Sequence, residues 1–318
     1  MEITDTLLGI LNILLLFGVA FVNGFTDAPT SITSVVVTKT LSLKKACILC
    51  GVLNLSGLAI VSAISTEIAD EIGKIGEIHG NQRGACAVLL TVVLFGTVTW
   101  RFGMMSSESI ALISALSAVS LFYNGCTDTR ELWLILLFLI VSCLISFFLA
   151  YFISRLFPKN SANYSLPLVL GCCLSSFIHG AQDGLKLTGL AILLFDSADS
   201  YPLSKPVIIV AVGSAILIGT LFSGERIIRS IGEKAVKLNT RSAFFSDIAS
   251  FLSLFLCTLL SIPVSTGNAR ATSILGAGLG NGERINKKVA IELIATSIAT
   301  IPVCFVLCYS LCFLLEMI

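Results

Sequence analysis

Ten long apolar stretches, separated by short polar segments, restrict what this chain can fold into. Of its 318 residues, 56% are hydrophobic and only 12% are charged, about half the charged share of a soluble protein. A chain in lipid must satisfy its backbone hydrogen bonds internally, within helices or a closed barrel. Runs of this length therefore predict an all-α polytopic membrane protein. The predicted units lie at about 7–38, 46–66, 85–102, 104–123, 132–154, 164–196, 205–223, 242–262, 264–281 and 288–316.

Two of these units are too long for one plain membrane crossing. As a straight helix, unit 7–38 would reach about 48 Å, against a hydrocarbon core of about 30 Å. Units 7–38 and 164–196 both carry glycine and polar residues at mid-length, including Asp27 and Asp183. Both are therefore predicted to be broken helices.

The order of elements in the first half recurs in the second. Asp27 and Asp183 occupy matching points, and the hydroxyl-rich turns GMMSSES (103–109) and SIPVSTG (261–267) do so as well. An odd number of crossings per half reverses the direction of the second copy. The pattern predicts an inverted-topology repeat of about 5+5 units with broken helices and re-entrant-type hairpins, as in secondary transporters. The predicted parts are a first repeat at 1–154, a cytoplasmic linker at 155–163 and a second repeat at 164–318.

Basic residues indicate the orientation. If each unit crosses once, starting outside, most Lys and Arg residues fall in loops that face the cytoplasm, such as 39–45, 226–241 and 284–288. The positive-inside rule then predicts that both termini are extracytoplasmic in the cell membrane. The acidic start, MEITDT, lacks the positively charged region of a signal peptide, so the first helix is predicted to be retained.

The two aspartates are the strongest functional signals. A carboxylate within the bilayer is costly and usually marks an ion path, and glycine and hydroxyl residues surround each one. We predict an ion-coupling site formed by Asp27, Asp183, Asn23, Thr26 and Gln182. The alternative is that each Asp only caps a half-helix at a kink.

The hydroxyl turns are typical of helix N-termini, whose free N–H groups attract anions. The predicted anion-binding residues are Ser106, Ser107, Ser109, Ser265, Thr266 and Asn268. The alternative is an ordinary helix start in a tightly packed bundle, where Ser and Thr are common.

Together, the two sets predict a cation-coupled anion symporter rather than an enzyme. Carboxylates beside an oxyanion require that cations or protons arrive with it. No cofactor is predicted beyond transported sodium ions or protons, and no metal beyond a sodium at Asp27 and Asp183. Most of the eleven cysteines lie in the apolar units, and they are predicted to be reduced thiols. No basic, aromatic stretch suggests nucleic acid.

Four segments resemble motifs of the inorganic phosphate transporter (PiT) family. NGFTDAPTSITSVVVTKTLSLKKA and IHGAQDGLKLTGLA are similar to its two signatures, and WRFGMMSSESIALI and PVSTGNA to its two hydroxyl turns. The motifs stand in the family's order and span nearly the whole chain. The resemblance implies a phosphate carrier in the lipid bilayer, driven by sodium or protons, forming a homodimer.

The chain also departs from the family pattern. The histidine that ends both family hydroxyl turns is replaced by Ile110 and Asn268, and Glu108 stands where the family has serine. Arg270 is added inside the second hairpin. We expect Glu108 and Arg270 to pair with each other or with solute, or Arg270 to snorkel towards the lipid edge.

Two further residues are candidate modifiers. Lys186, which the family shares, is expected to pair with Asp183 at i,i+3. Asp247 stands where the family has glutamate and is a weaker candidate for the ion path.

Three rival interpretations stay open. A carrier of another oxyanion, such as sulfate, has less use for paired carboxylates. An intramembrane aspartyl protease needs two aspartates sharing a proton, but usually uses Gly-x-Gly-Asp, whereas this chain has GFTD and GAQD. A passive anion channel needs no coupled carboxylate site.

Overall fold

The structure is a computed structural model that describes residues 2–75, 81–104, 106–125, 129–157, 163–195, 204–223 and 225–317. Thirteen α-helices dominate these residues, with one π-helical segment, Ser230–Ala235. The helices are α1 Glu2–Thr26, α2 Pro29–Val37, α3 Leu43–Ile64, α4 Glu67–Ile75, α5 Gln82–Phe102, α6 Glu108–Asn124, α7 Thr129–Leu156, α8 Ser165–Phe195, α9 Lys205–Leu221, α10 Glu225–Arg229, α11 Thr240–Leu259, α12 Thr266–Gly280 and α13 Lys287–Glu316.

Each of the ten apolar units predicted from the sequence contains one of the long helices, with α1 and α2 sharing the first. In the described residues, seven segments are long and apolar enough to cross a membrane. Many leucine, isoleucine and phenylalanine side chains are exposed on the outer faces of these helices, where lipid would cover them. The chain is an integral membrane protein of the all-α class.

The first long unit is broken where predicted. Helix α1 ends at Thr26, and α2 restarts at Pro29, so Asp27 lies in the break. Proline is favoured at the first position of a helix because its missing N–H is not needed there. The break therefore follows directly from the sequence.

The predicted break in the second long unit is wrong. Helix α8 runs without interruption from Ser165 to Phe195, and Asp183 lies within it. Pro29 stands two residues after Asp27, and the matching position after Asp183 is Leu185. Unlike proline, Leu185 has a backbone N–H and can continue the helix. With 31 residues, α8 is about 46 Å long, which is long enough to cross a bilayer with some tilt.

Glycines in the long helices serve close packing rather than breaks. A Cβ at Gly180 of α8 would overlap the backbone of Asn54 in α3, and one at Gly24 of α1 would overlap the carbonyl of Ile216 in α9. Small residues let membrane helices approach at backbone distance. These contacts hold α8 on α3 and α1 on α9. The helix that contains Asp183 and the helix that ends just before Asp27 each pack on a helix of the other half of the chain.

We expect Gly180→Ala to destabilise the protein by about 1–3 kcal/mol, because the added methyl forces α3 and α8 apart. The matched control is Gly18→Ala in α1, where a Cβ would meet Val93 Cγ2 at 3.5 Å, an ordinary contact. That control should gain about 0.5–1 kcal/mol from removing a helix glycine. Thermal unfolding of the purified variants in detergent measures the stability change of each. Equal stability changes in Gly180→Ala and Gly18→Ala would contradict the close backbone contact at Gly180.

The linker predicted at 155–163 is only partly visible. Arg155 and Leu156 close α7, and residues 158–162 lie outside the described ranges. Nothing in the structure tests the division into repeats at 1–154 and 164–318, which stays a prediction.

Candidate functional site

The two hydroxyl turns meet each other inside the protein. Ser107 caps the N-terminus of α6 by accepting from Ile110 N, and Ser265 caps α12 by accepting from Asn268 N, at 3.2 and 3.4 Å. Ser107 Oγ also donates to Ser265 Oγ at 2.8 Å. The N-terminal ends of two helices, which carry partial positive charge, therefore lie side by side.

The two aspartates lie at this same point. Thr266 Oγ1, at the first position of α12, is 2.8 Å from Asp183 Oδ2 and 3.4 Å from Asp27 Oδ2. The carboxylate of Asp27 packs against Gly267 so closely that a Cβ there would overlap it. One threonine thus links the aspartates of both halves to the start of α12.

Asp183 is held from several directions. Lys186 Nζ is 2.5 Å from its Oδ1, as the expected i,i+3 pair, and Asn23 Nδ2 donates to its Oδ2 at 3.1 Å. Lys186 also donates to Ser109 Oγ at 2.8 Å and to the carbonyl of Val264 at 2.7 Å. A buried ammonium group therefore connects α8 with both hydroxyl turns.

Glu108 begins α6 beside the break in the first long helix. Its Oε1 accepts a hydrogen bond from Thr26, while its Oε2 is buried without a hydrogen-bond partner among the described residues. The side chain is 6% exposed. A third carboxylate is thus added to the two that the sequence repeat predicts.

Arg270 does not pair with Glu108, so that expectation is wrong. Arg270 forms a buried ion pair with Asp247 of α11 and donates to the Thr30 carbonyl and Ser34 Oγ at 3.2 and 3.1 Å. It is 1% exposed, which also contradicts snorkelling to the lipid edge. The reason is position: Arg270 lies one turn beyond Thr266 on the face of α12 towards α2 and α11, whereas Glu108 faces α1.

Three predicted site residues form hydrogen bonds with residues other than the two aspartates. Gln182 Nε2 donates to Thr258 Oγ1 at 2.9 Å, and Asn268 Nδ2 donates to Ser297 Oγ at 3.0 Å. Ser106 Oγ is 2.8 Å from Thr99 Oγ1. In this conformation these residues brace neighbouring helices rather than the carboxylate cluster.

Two small cavities flank the cluster. The first, here the Lys186 cavity, is about 20 Å³ and is lined by Val19, Asn23, Val92, Glu108, Ser109, Leu112, Asp183, Lys186 and Leu187. The second, here the Trp100 cavity, is about 10 Å³ and is lined by Thr26, Asp27, Thr30, Thr99, Trp100, Met104, Ser106 and Ile227.

Thr26 lines the Trp100 cavity and Glu108 lines the Lys186 cavity, so the hydrogen bond from Thr26 to Glu108 lies between the two cavities. Each cavity has room for about one water molecule. Neither cavity has room for a tetrahedral oxyanion in the described conformation.

A model of the phosphate transporter family matches residues 23–163 and 157–308, nearly the whole chain and all of the cluster. The chain belongs to the phosphate transporter family. It is therefore a transporter and not an enzyme, which removes the intramembrane protease from consideration.

Relatives with curated names agree with this assignment. A probable low-affinity inorganic phosphate transporter of Rhizobium meliloti (strain 1021) is 30% identical, over 86% of this chain and 85% of that one. One with the same name from Bacillus subtilis (strain 168) is 26% identical, over 94% of each. Sodium-dependent phosphate transporter 1 of Pongo abelii is 24% identical over 46% of this chain and 22% of its own length.

A solved structure shares the fold. It is titled the sodium-dependent phosphate transporter and superposes with a TM-score of 0.83, covering 98% of this chain and 100% of the other at 18% identity. At that identity the likeness concerns the fold alone.

Sequence analysis of this phosphate transporter family member missed some contributors. The Val264 carbonyl binds Lys186, and Ser34 joins Arg270 to Asp247, since its Oγ is 2.7 Å from Asp247 Oδ2. A backbone carbonyl leaves no sequence signal. Ser34, however, lies two helical turns after Asp27 within an apolar run, and this spacing could have indicated it.

The contact between the two caps can be measured. We expect Ser107→Ala and Ser265→Ala each to destabilise the protein by about 1 kcal/mol through loss of a cap. Because they share one hydrogen bond, the double variant should cost less than the sum, with a coupling of about 0.5 kcal/mol or more.

Thermal unfolding of the four proteins in detergent gives this coupling. Ser117→Ala is the control, since its buried hydroxyl bonds the Ile113 carbonyl of its own helix at 2.7 Å, and it should show no coupling with Ser265→Ala. Strict additivity of Ser107→Ala and Ser265→Ala would contradict a direct link between the caps.

Proposed function

We propose that this protein is a secondary active transporter that carries inorganic phosphate across the cytoplasmic membrane together with sodium ions or protons. One observation carries the proposal: two helix N-termini, linked cap to cap, meet three buried carboxylates and a buried lysine at one point. Helix N-termini and lysine suit an oxyanion, and the carboxylates suit a cation.

The formal charge of the site explains why phosphate must travel together with a cation or proton. Among the described residues, Lys186 contacts Asp183, and His179 Nε2 lies 3.6 Å from Asp183 Oδ2, while Arg270 is already paired with Asp247. The three carboxylates of Asp27, Asp183 and Glu108 therefore outnumber the cationic groups beside them even if the histidine is protonated. Adding phosphate to a site that is already negative, in a low-dielectric interior, is strongly unfavourable without cations or protons. Cation coupling follows from this balance, and the names of the sodium-dependent relatives favour sodium over protons.

The carboxylates also favour phosphate over sulfate. At neutral pH, phosphate carries at least one O–H group, which a carboxylate can accept as a hydrogen bond, whereas sulfate has only acceptors. An acceptor-rich site leaves sulfate oxygens facing carboxylate oxygens. In this proposal, Asp27, Asp183, Asn23 and Thr26 handle the cation, and Ser107, Ser109, Ser265, Thr266 and Lys186 hold the anion.

The proposal includes the inverted repeat, the extracytoplasmic termini and the homodimer predicted from the sequence. The repeat is supported by the paired helix contacts, since α1 packs on α9 as α8 packs on α3 through glycine in each case. It is also supported by the meeting of the two hydroxyl turns. A repeat of this kind would place the site at the bilayer midplane.

Uptake of radiolabelled phosphate by proteoliposomes tests the function. We expect accumulation above equilibrium with an inward sodium or proton gradient and none without a gradient, and only weak inhibition by excess sulfate. Counterflow separates a carrier from a channel, because only a carrier exchanges labelled for unlabelled phosphate against its gradient. Gradient-independent equilibration would favour the channel, and sulfate accumulation in place of phosphate would favour the other oxyanion.

A further inference from the structure

Arg270 lies within a set of oxygen atoms from two other helices. Its guanidinium contacts a carboxylate oxygen of Asp247, the backbone carbonyl of Thr30 and the hydroxyl of Ser34. We call Asp247, Thr30 and Ser34 the oxygen cage. All three residues are at most 2% exposed, so the cage has no direct exchange with solvent.

The cage has the composition of a monovalent cation site. Carboxylate, hydroxyl and backbone carbonyl oxygens are the ligands of hard cations, and transporters use carbonyls near broken helices to coordinate sodium. Thr30 and Ser34 belong to α2, the segment that restarts after the break at Asp27. The cage therefore adjoins the carboxylate cluster.

The guanidinium fits this cage only in part. Its Nη1 is buried and has no hydrogen-bond acceptor among the residues that the structure describes. Most buried polar atoms in proteins have at least one hydrogen-bond partner, so this nitrogen is a local cost of placing arginine in the cage. What the arginine does supply is one positive charge against Asp247, which is fully buried.

We propose that Arg270 is a tethered cation, occupying an oxygen cage that would otherwise take a mobile sodium ion. The protein then couples phosphate to one mobile cation fewer than the same site would need with a neutral residue at this position. This transport consequence rests on the proposed cation coupling, whereas the binding of sodium in the vacated cage does not.

Equilibrium binding of radioactive sodium to the purified full-length protein in detergent tests the proposal directly. Arg270→Ala should bind one sodium ion more per chain than wild type at saturation, and Arg270→Ala with Asp247→Asn should lose that ion again. Arg270→Lys keeps the charge and should bind the same number as wild type. An unchanged count in Arg270→Ala, or a gained ion in Arg270→Lys, would overturn the proposal.

Folding of the variant gives a second readout. Removing Arg270 leaves Asp247 buried and unpaired, which is strongly destabilising. Sodium that binds only the folded state should restore stability, by about a tenfold shift in the folding equilibrium for each tenfold rise of sodium above its dissociation constant. Arg270→Ala protein that is monodisperse in sodium chloride but not in choline chloride supports the cage, and aggregation in both salts contradicts it.

Transport separates this inference from the proposed function. In proteoliposomes, Arg270→Ala should show a steeper dependence of phosphate uptake on sodium than wild type, with a higher Hill coefficient. If wild type does not transport phosphate at all, the proposed function fails. The number of sodium ions bound per chain by Arg270→Ala still tests whether the oxygen cage takes sodium.

Discussion

Asp27→Asn is expected to abolish gradient-driven phosphate accumulation while leaving the folded protein at least as stable as wild type. Within the described residues, no Lys, Arg or His lies at salt-bridge distance from Asp27, and its hydrogen-bond contact is Thr266 at 3.4 Å. Burying an unpaired charge is costly, so the isosteric amide removes that cost together with the proposed cation site. Function and stability should therefore move in opposite directions.

The measurement is phosphate uptake by proteoliposomes under an inward sodium or proton gradient, alongside thermal unfolding in detergent. Asp70→Asn is the matched control, since Asp70 is an exposed residue of α4, and it should keep wild-type uptake. Full accumulation by Asp27→Asn under either gradient would show that coupling does not use this carboxylate.

Lys186→Met is expected to lose both stability and transport, whereas Asp27→Asn should lose transport alone. Lys186 is buried and bonded to Asp183, Ser109 and the Val264 carbonyl. Removing one partner of a buried ion pair costs about 3–5 kcal/mol, because the other charge stays behind. The same substitution removes the positive charge that we assign to the anion.

The double variant Lys186→Met with Asp183→Asn distinguishes these two roles. It removes both charges of the Asp183–Lys186 pair, so neither is left behind without its partner. Most of the lost stability should therefore return in thermal unfolding, whereas phosphate uptake should stay at the level of protein-free liposomes. Recovery of uptake together with stability would mean that the pair only maintains the fold.

Much of the architecture could be predicted from local sequence, because helices in lipid are specified by local apolar runs. The ten units and the break before Pro29 needed no knowledge of distant contacts. The break expected at Asp183 was inferred from the length of the unit and from its glycine and polar residues at mid-length, and it was wrong. Gly180 packs against the backbone of α3 instead, and Leu185 lacks the feature that interrupts the first unit.

The site was harder to predict because its contacts join residues far apart in the chain. Asp27, Asp183 and the hydroxyl turns were recognisable as polar groups in apolar surroundings, but the cap-to-cap contact spans 158 residues. The choice of Asp247 over Glu108 as the partner of Arg270 depends on which face of α12 the arginine occupies. That face is set by how α12 packs on α2 and α11.

The small size of the two cavities beside the hydrogen bond from Thr26 to Glu108 has an electrical consequence. Cavities that each hold about one water molecule leave a hydrated ion no room to pass through this part of the protein in the described conformation. If the proposed coupling holds, a membrane that contains many idle copies of this protein would keep a low ion conductance and would preserve the gradients that drive uptake. A tightly packed interior would thus limit the loss of stored electrochemical energy through the transporter itself.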